Sequence, residues 1–240
     1  MKITNYPREE RKFADIGFAQ IHFSFRADYI EKKRHNFGAL WNLDEGLMDP
    51  DSKGFGMHPH KDMEVVTLLL NGEGHHKDNQ NNVGTLKSKG VQLITAGTGI
   101  MHEEYNYSKT EQYVGYQIFL HPREKGLKPK YQKIELSTDD YTNKLRLIVT
   151  PDGRNNTLAI ANDSFLNYGI FDQGNSINYR LNMSKNGVLI KVHKGKIEIE
   201  GTILREKDEI GIEDFESIAI KMLEQSEIMI FEVQMENYAI

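Results

Sequence analysis

Two short segments carry side chains suited to gripping a metal ion. His58-Pro59-His60 is followed four residues later by Glu64, and His102-Glu103-Glu104 closes a glycine-rich run that begins at Ala96. In a β-strand, successive side chains point to opposite faces, so residues i and i+2 project together. His58 and His60 therefore share a face, and so do His102 and Glu104. Glu64 has the parity of the first pair, although a bend before it would remove it. Were the two pairs to lie on adjacent strands facing a barrel interior, they would offer three imidazoles and one carboxylate. Such a nitrogen-rich set suits Fe, Mn, Co, Ni, Cu or Zn and leaves positions for exogenous ligands. Calcium and magnesium prefer all-oxygen sites.

Eight of the nine histidines fall within the first 121 residues, which places any histidine chemistry there. His75 and His76 are adjacent, so their rings point to opposite faces, and they read as a polar pair beside a turn. His22, His35, His121 and His193 read as hydrogen-bonded or surface histidines. Glu103 has the opposite parity to Glu104 and reads as outside the ligand set.

The elements that must position these residues are short strands. Residues 63–70, 84–86, 91–95 and 113–120 are β-prone and separated by glycine turns. The second half has the same texture over 187–193, 196–200, 208–212, 217–222 and 228–234. This rhythm predicts two similar β-barrels in tandem, all-β with few short helices, rather than βαβ units. The join is expected between about residues 125 and 150, giving domains of 1–135 and 136–240.

Composition narrows the function. With 38% hydrophobic and 27% charged residues, the chain has enough apolar material for a core. A net charge of -5 and no Lys/Arg run of four argue against direct nucleic-acid binding. The absence of cysteine excludes disulfide scaffolds, zinc ribbons, iron–sulfur clusters and thiol catalysis. The N-terminus lacks an apolar signal core and no apolar stretch is long enough to span a bilayer, so the expected location is cytoplasmic, with no membrane partner.

These motifs resemble the cupin superfamily and, within it, the pirin family. His58-Pro59-His60-Lys61-Asp62-Met63-Glu64 is similar to the first cupin motif, and Gly90 through Gly99, His102 and Asn106 to the second. The pirin likeness is more specific. It rests on His22-Phe23-Ser24-Phe25, on the run from Gly54 to Glu64, on the run from Val91 to Glu104, and on Tyr116–Leu120 followed by Lys125–Tyr131. It covers residues 8–135 closely and the rest in outline. Three positions depart from the pattern: the turn Asp78-Asn79-Gln80-Asn81-Asn82, Glu103 in place of a serine, and Trp41 in place of an arginine.

The resemblance implies a bicupin, two tandem cupin-like β-barrels, with His58, His60, His102 and Glu104 as metal ligands and Glu64 outside the set. The C-terminal half lacks an equivalent cluster, so its domain is expected to carry no metal ligands. The resemblance further implies a quercetin 2,3-dioxygenase type of activity, opening a flavonol with O₂ and releasing carbon monoxide; on physical grounds Glu104, a carboxylate on or beside the metal, is the expected catalytic proton acceptor. Iron is the expected metal, and Mn, Co, Ni, Cu or Zn also suit the site. The expected partners are a small aromatic substrate and O₂. The alternative is a metal-binding regulator that acts through a protein partner without physiological turnover.

Overall fold

The structure is a computed structural model that describes residues 1–26 and 32–240. Among the described residues the chain is almost entirely β, with one short α-helix, Thr138–Tyr141, and three single-turn 3₁₀ segments. The contacts divide it into two compact units. One comprises Arg11–Leu136, Ile160–Asn162 and Tyr238–Ile240; the other comprises Met1–Glu10, Ser137–Ala159 and Asp163–Asn237.

The first unit has two antiparallel sheets. Across the seven-stranded sheet the order is Lys130–Glu135, Gly90–Thr95, Glu64–Asn71, Tyr113–Leu120, Leu40–Met48, Ala19–Phe25 and Lys12–Asp15. The four-stranded sheet runs Ser52–His60, Ile100–Asn106, Glu73–Asp78 and Val83–Lys87. The hydrogen-bond ladders remain as two sheets and do not close into one continuous barrel. Glu64–Asn71 is central and buried on both faces up to its last residue, which fits its unbroken apolar run Val65-Val66-Thr67-Leu68-Leu69-Leu70. Ala19, Met48, Leu69, Leu86 and Tyr113 come from both sheets and pack into one cluster.

The second unit repeats the plan. Its seven-stranded sheet includes Lys2–Tyr6, paired antiparallel with Glu209–Glu213, and its four-stranded sheet centres on Ser217–Met222 and Lys196–Ile199. Ser217–Met222 alternates exposed and buried residues, placing Ile218, Ile220 and Met222 inward as period-2 patterning requires. Isoleucines and valines from both sheets fill this interior.

Candidate metal centre

The site lies in the first unit, on the four-stranded sheet. Ser52–His60 is an edge strand, which is where a proline such as Pro59 is tolerated, because no second neighbour needs its missing N–H. Its partner is Ile100–Asn106, and the register sets His58 directly opposite His102 and His60 opposite Ile100. Two β-bulges follow: Glu104 faces Phe55 and Asn106 faces Ser52. Bulges bend a strand and re-aim its side chains. Gly54 makes this possible, with φ of 55° and its Cα packed so tightly that an added Cβ would stand 2.1 Å from the Glu104 carbonyl oxygen.

The three imidazoles converge. Ring centroids are 4.3 Å apart for His58 and His102, 4.8 Å for His60 and His102, and 5.0 Å for His58 and His60. One nitrogen from each ring falls within a mutual 4.8 Å. His58 Nδ1 is 2.8 Å from the Gly56 carbonyl, so the N–H there leaves Nε2 as the free lone pair. His102 is fully buried, and its Nε2 has no hydrogen-bond partner. Burial, reinforced by the charges of His102 and His58, pushes His60 down to about 4 against the pull of Glu104. Burial, with His58 and His76 adding to it and Asp78 opposing, pushes His102 down to about 3. Both rings are thus neutral near pH 7, the form that ligates metals. An orphaned buried nitrogen between two further imidazoles fits a bound cation, which would satisfy it.

Glu104 is buried on the same strand. Gln92 Nε2 donates to its Oε1 at 2.8 Å, and Gln117 Nε2 donates to its Oε2. It joins a second triplet with His102 and His76, whose ligand atoms also lie within 4.8 Å of one another. His102 is common to both triplets. Glu64 is elsewhere: the edge strand stops at His60, Asp62 turns with φ of 51°, and the chain passes to the other sheet. There Glu64 accepts a hydrogen bond from Thr95 Oγ1 at 2.9 Å and lies in neither triplet.

Above the rings opens a cavity of about 260 Å³, bordered by His58, His60, Glu104 and Gln117 and walled by Phe23, Phe55, Tyr113 and Phe119. Gly46 and Gly115 face each other across the Leu40–Met48 and Tyr113–Leu120 ladder. A Cβ at Gly46 would meet nothing within 4 Å, so the bare backbone leaves this space open. Trp41 packs behind the wall, edge-on to Phe119 at 5.3 Å. Glu103 points away from the ligand cluster and lies 3.6 Å from Lys77, so its extra charge is not directed at the site.

One histidine departs from the sequence-based expectation. Adjacency does separate His75 from His76: His75 faces outward, bonded to Glu73 at 2.6 Å and near Thr85. His76 faces inward, is 2% exposed, and stands 3.4 Å from His102 Nδ1 through its own Nδ1. The signal that could have found it is the i, i+2 pair His76 and Asp78, the same parity rule that selected His58 and His60. His193 Nδ1 accepts from Lys207 at 3.0 Å, a hydrogen-bonded histidine as expected, and His121 stacks on Tyr238 at 5.4 Å.

Known proteins place this site in context. The family model described as Pirin matches residues 7–120, and one described as Quercetinase C-terminal cupin domain matches residues 147–233. A Zymomonas mobilis protein with the provisional name quercetin 2,3-dioxygenase is 37% identical over 95% of this chain and 96% of its own length. The chain belongs to the pirin family. Another relative, quercetin 2,3-dioxygenase from Escherichia coli, is 32% identical over 93% of this chain and 95% of its own. The crystal structure of the bacterial pirin YhhW from E. coli in complex with nickel(II) superposes with a TM-score of 0.90 at 30% identity. It covers 97% of this chain and 99% of its own. Among the described residues, no helix is long and apolar enough to cross a membrane.

Proposed function

We propose that this pirin is a metal-dependent dioxygenase that opens a flavonol such as quercetin with O₂ and releases carbon monoxide. His58, His60, His102 and Glu104 are the proposed metal ligands, and iron is the proposed metal, with Mn, Co, Ni, Cu or Zn also matched by the donor set. The metal belongs to the N-terminal domain, and the C-terminal domain carries none. The observation that carries this reading is the convergence of three imidazoles, one with an orphaned buried nitrogen, at the floor of an aromatic-walled cavity.

A divalent cation held there supplies Lewis acidity, which lowers the pKa of a flavonol 3-hydroxyl and makes the ring electron-rich toward O₂. The chain's own residues do the rest. Glu104, steadied by amide donors on both oxygens, accepts the hydroxyl proton. Phe23, Phe55 and Phe119 offer flat apolar faces to the substrate rings and displace water from the floor. A cavity of about 260 Å³ is just under the span of roughly 300–1,000 Å³ common for small-molecule sites, which suits one flat ligand. An open cavity of this kind supports turnover over a purely regulatory role, in which the same interior would be filled.

The test follows quercetin absorbance under air and under nitrogen, with carbon monoxide detected in the same vessel. Oxygen-dependent bleaching with carbon monoxide release, abolished by chelation, is the expected result. A protein carrying one metal per chain with no turnover across Fe, Mn, Co, Ni and Cu would overturn the dioxygenase reading in favour of a metal-dependent binding protein.

A further inference from the structure

The second triplet, His76 with His102 and Glu104, has the spacing of a metal site but a different logic. Asp78 is 4% exposed, and its carboxylate has three amide donors and one imidazole contact. Backbone N–H groups of Gln80 and Asn82 donate to its Oδ1 at 2.9 and 3.0 Å. Asn82 Nδ2 donates to its Oδ2 at 2.9 Å, and His76 Nε2 lies 3.0 Å from the same oxygen. Three amide donors thus converge on its two oxygens, the pattern of a carboxylate that only accepts, so His76 Nε2 carries the hydrogen of the fourth contact.

That assignment propagates inward. With His76 Nε2 turned to Asp78, its Nδ1 faces His102 Nδ1 at 3.4 Å, and a bond between these two nitrogens needs a hydrogen on one and a lone pair on the other. The hydrogen belongs on His102 Nδ1, which leaves its Nε2 bare. The opposite tautomer would leave a buried Nε2–H with no acceptor, because that atom has no hydrogen-bond partner. The strand register supports the same geometry: His102 is the direct neighbour of Asp78, and Glu104 of His76. Tyr131 stacks on the His76 ring at 4.4 Å and 10°, fixing its plane.

We infer that Asp78 and His76 are positioning residues that lock His102 in the one tautomer able to offer Nε2 to a metal, and that His76 stands beside His102 and Glu104 as a link in this hydrogen-bond chain rather than as a ligand of a second ion. The inference rests on the metal-centre reading above. Outer partners of this kind orient a ligating histidine and raise its basicity, and their loss commonly costs 10- to 100-fold in metal affinity.

The probe is Co²⁺, titrated into chelator-stripped full-length protein against a competing indicator, with the visible d–d spectrum recorded at saturation. His76→Phe keeps the ring on Tyr131 and removes both hydrogen bonds. It is expected to weaken Co²⁺ binding about 10- to 100-fold and to shift the spectrum. His76→Gln can accept from His102 and donate to Asp78, and is expected to restore affinity to within about 3-fold and the wild-type spectrum. Asp78→Asn, which offers an amide where a carboxylate is required, is expected to resemble His76→Phe and decides the matter if that variant does not fold. Unchanged affinity and spectrum in His76→Phe, or in Asp78→Asn where it decides, would overturn the inference. So would two Co²⁺ per wild-type chain with one lost in His76→Phe. His60→Ala separates the failures: if it still binds Co²⁺ as wild type does, the metal-centre reading falls and takes this inference with it. If it loses Co²⁺ while His76→Phe is unaffected, only the inference falls.

Discussion

Replacing Glu64 by glutamine is expected to remove a stability loss that the wild type suffers as pH rises. Glu64 is wholly buried, and burial pushes its carboxyl up to about 8, although the Thr95 hydroxyl, the Ala161 backbone and Lys130 all favour the charged form. The native state therefore holds a proton that the unfolded chain releases near 4.5, so native protein binds more protons throughout the interval between. By linkage, this group's stabilisation is intact below the unfolded value and declines as pH rises toward the folded one. The loss amounts to about 3.5 kcal/mol between pH 5 and pH 8 for an unrelaxed site, and roughly half that if the surroundings adjust. Glutamine keeps the shape and an acceptor for Thr95 without a titrating proton. The assay is urea unfolding of metal-free protein at pH 5, 6, 7 and 8, followed by the fluorescence of Trp41. That residue is the sole tryptophan and lies in the same unit as Glu64. Contributions from His60 and His102 have the opposite sign, falling away as pH drops below 6.5, and cancel between wild type and variant. The wild-type curve should fall below the variant's progressively with pH. Parallel curves from pH 5 to pH 8 would refute the reasoning, because they would mean that Glu64 ionises as freely in the fold as outside it.

Two further substitutions probe the site itself. Gly54→Ala places a Cβ 2.1 Å from the Glu104 carbonyl at a left-handed φ, so it should destabilise the protein by more than about 1 kcal/mol and weaken metal binding, read by thermal unfolding with and without added Ni²⁺. Gly46→Leu fills the open cavity from its Leu40–Met48 wall, at a backbone position that accepts any residue; metal content should be unchanged while KM for quercetin rises at least 10-fold.

Much of the candidate site is legible because strand parity is a local rule. Spacing at i, i+2 selects His58 with His60 and His102 with Glu104 but leaves Glu64 open, and the two strands are antiparallel neighbours. The strands richest in β-branched and aliphatic residues were equally plain: 63–70, 91–95 and 113–120 correspond to Glu64–Asn71, Gly90–Thr95 and Tyr113–Leu120. Leu40–Met48 was not legible, since Asn42, Asp44, Glu45 and Gly46 break any apolar alternation. Its buried polar groups are satisfied by partners no apolar pattern announces: Arg11 reaches Glu45 at 3.0 Å, and Asn42 donates to Asp44 along the same strand at 2.8 Å. Lys2–Tyr6 was missed for a related reason: as an edge strand with three polar residues among its five, it is identified by its partner Glu209–Glu213. The inward turn of His76 depends on where the hairpin Glu73–Lys87 begins, a register no single residue type announces.

The most direct test of the central claim is metal stoichiometry. Wild type, His60→Ala and Glu104→Ala are loaded with Fe²⁺ under nitrogen, desalted, and analysed for metal by mass spectrometry, with circular dichroism confirming the fold of each. One ion per wild-type chain, and far less than one in both folded variants, is the predicted result. Wild-type metal content retained in both variants would contradict the four-residue centre.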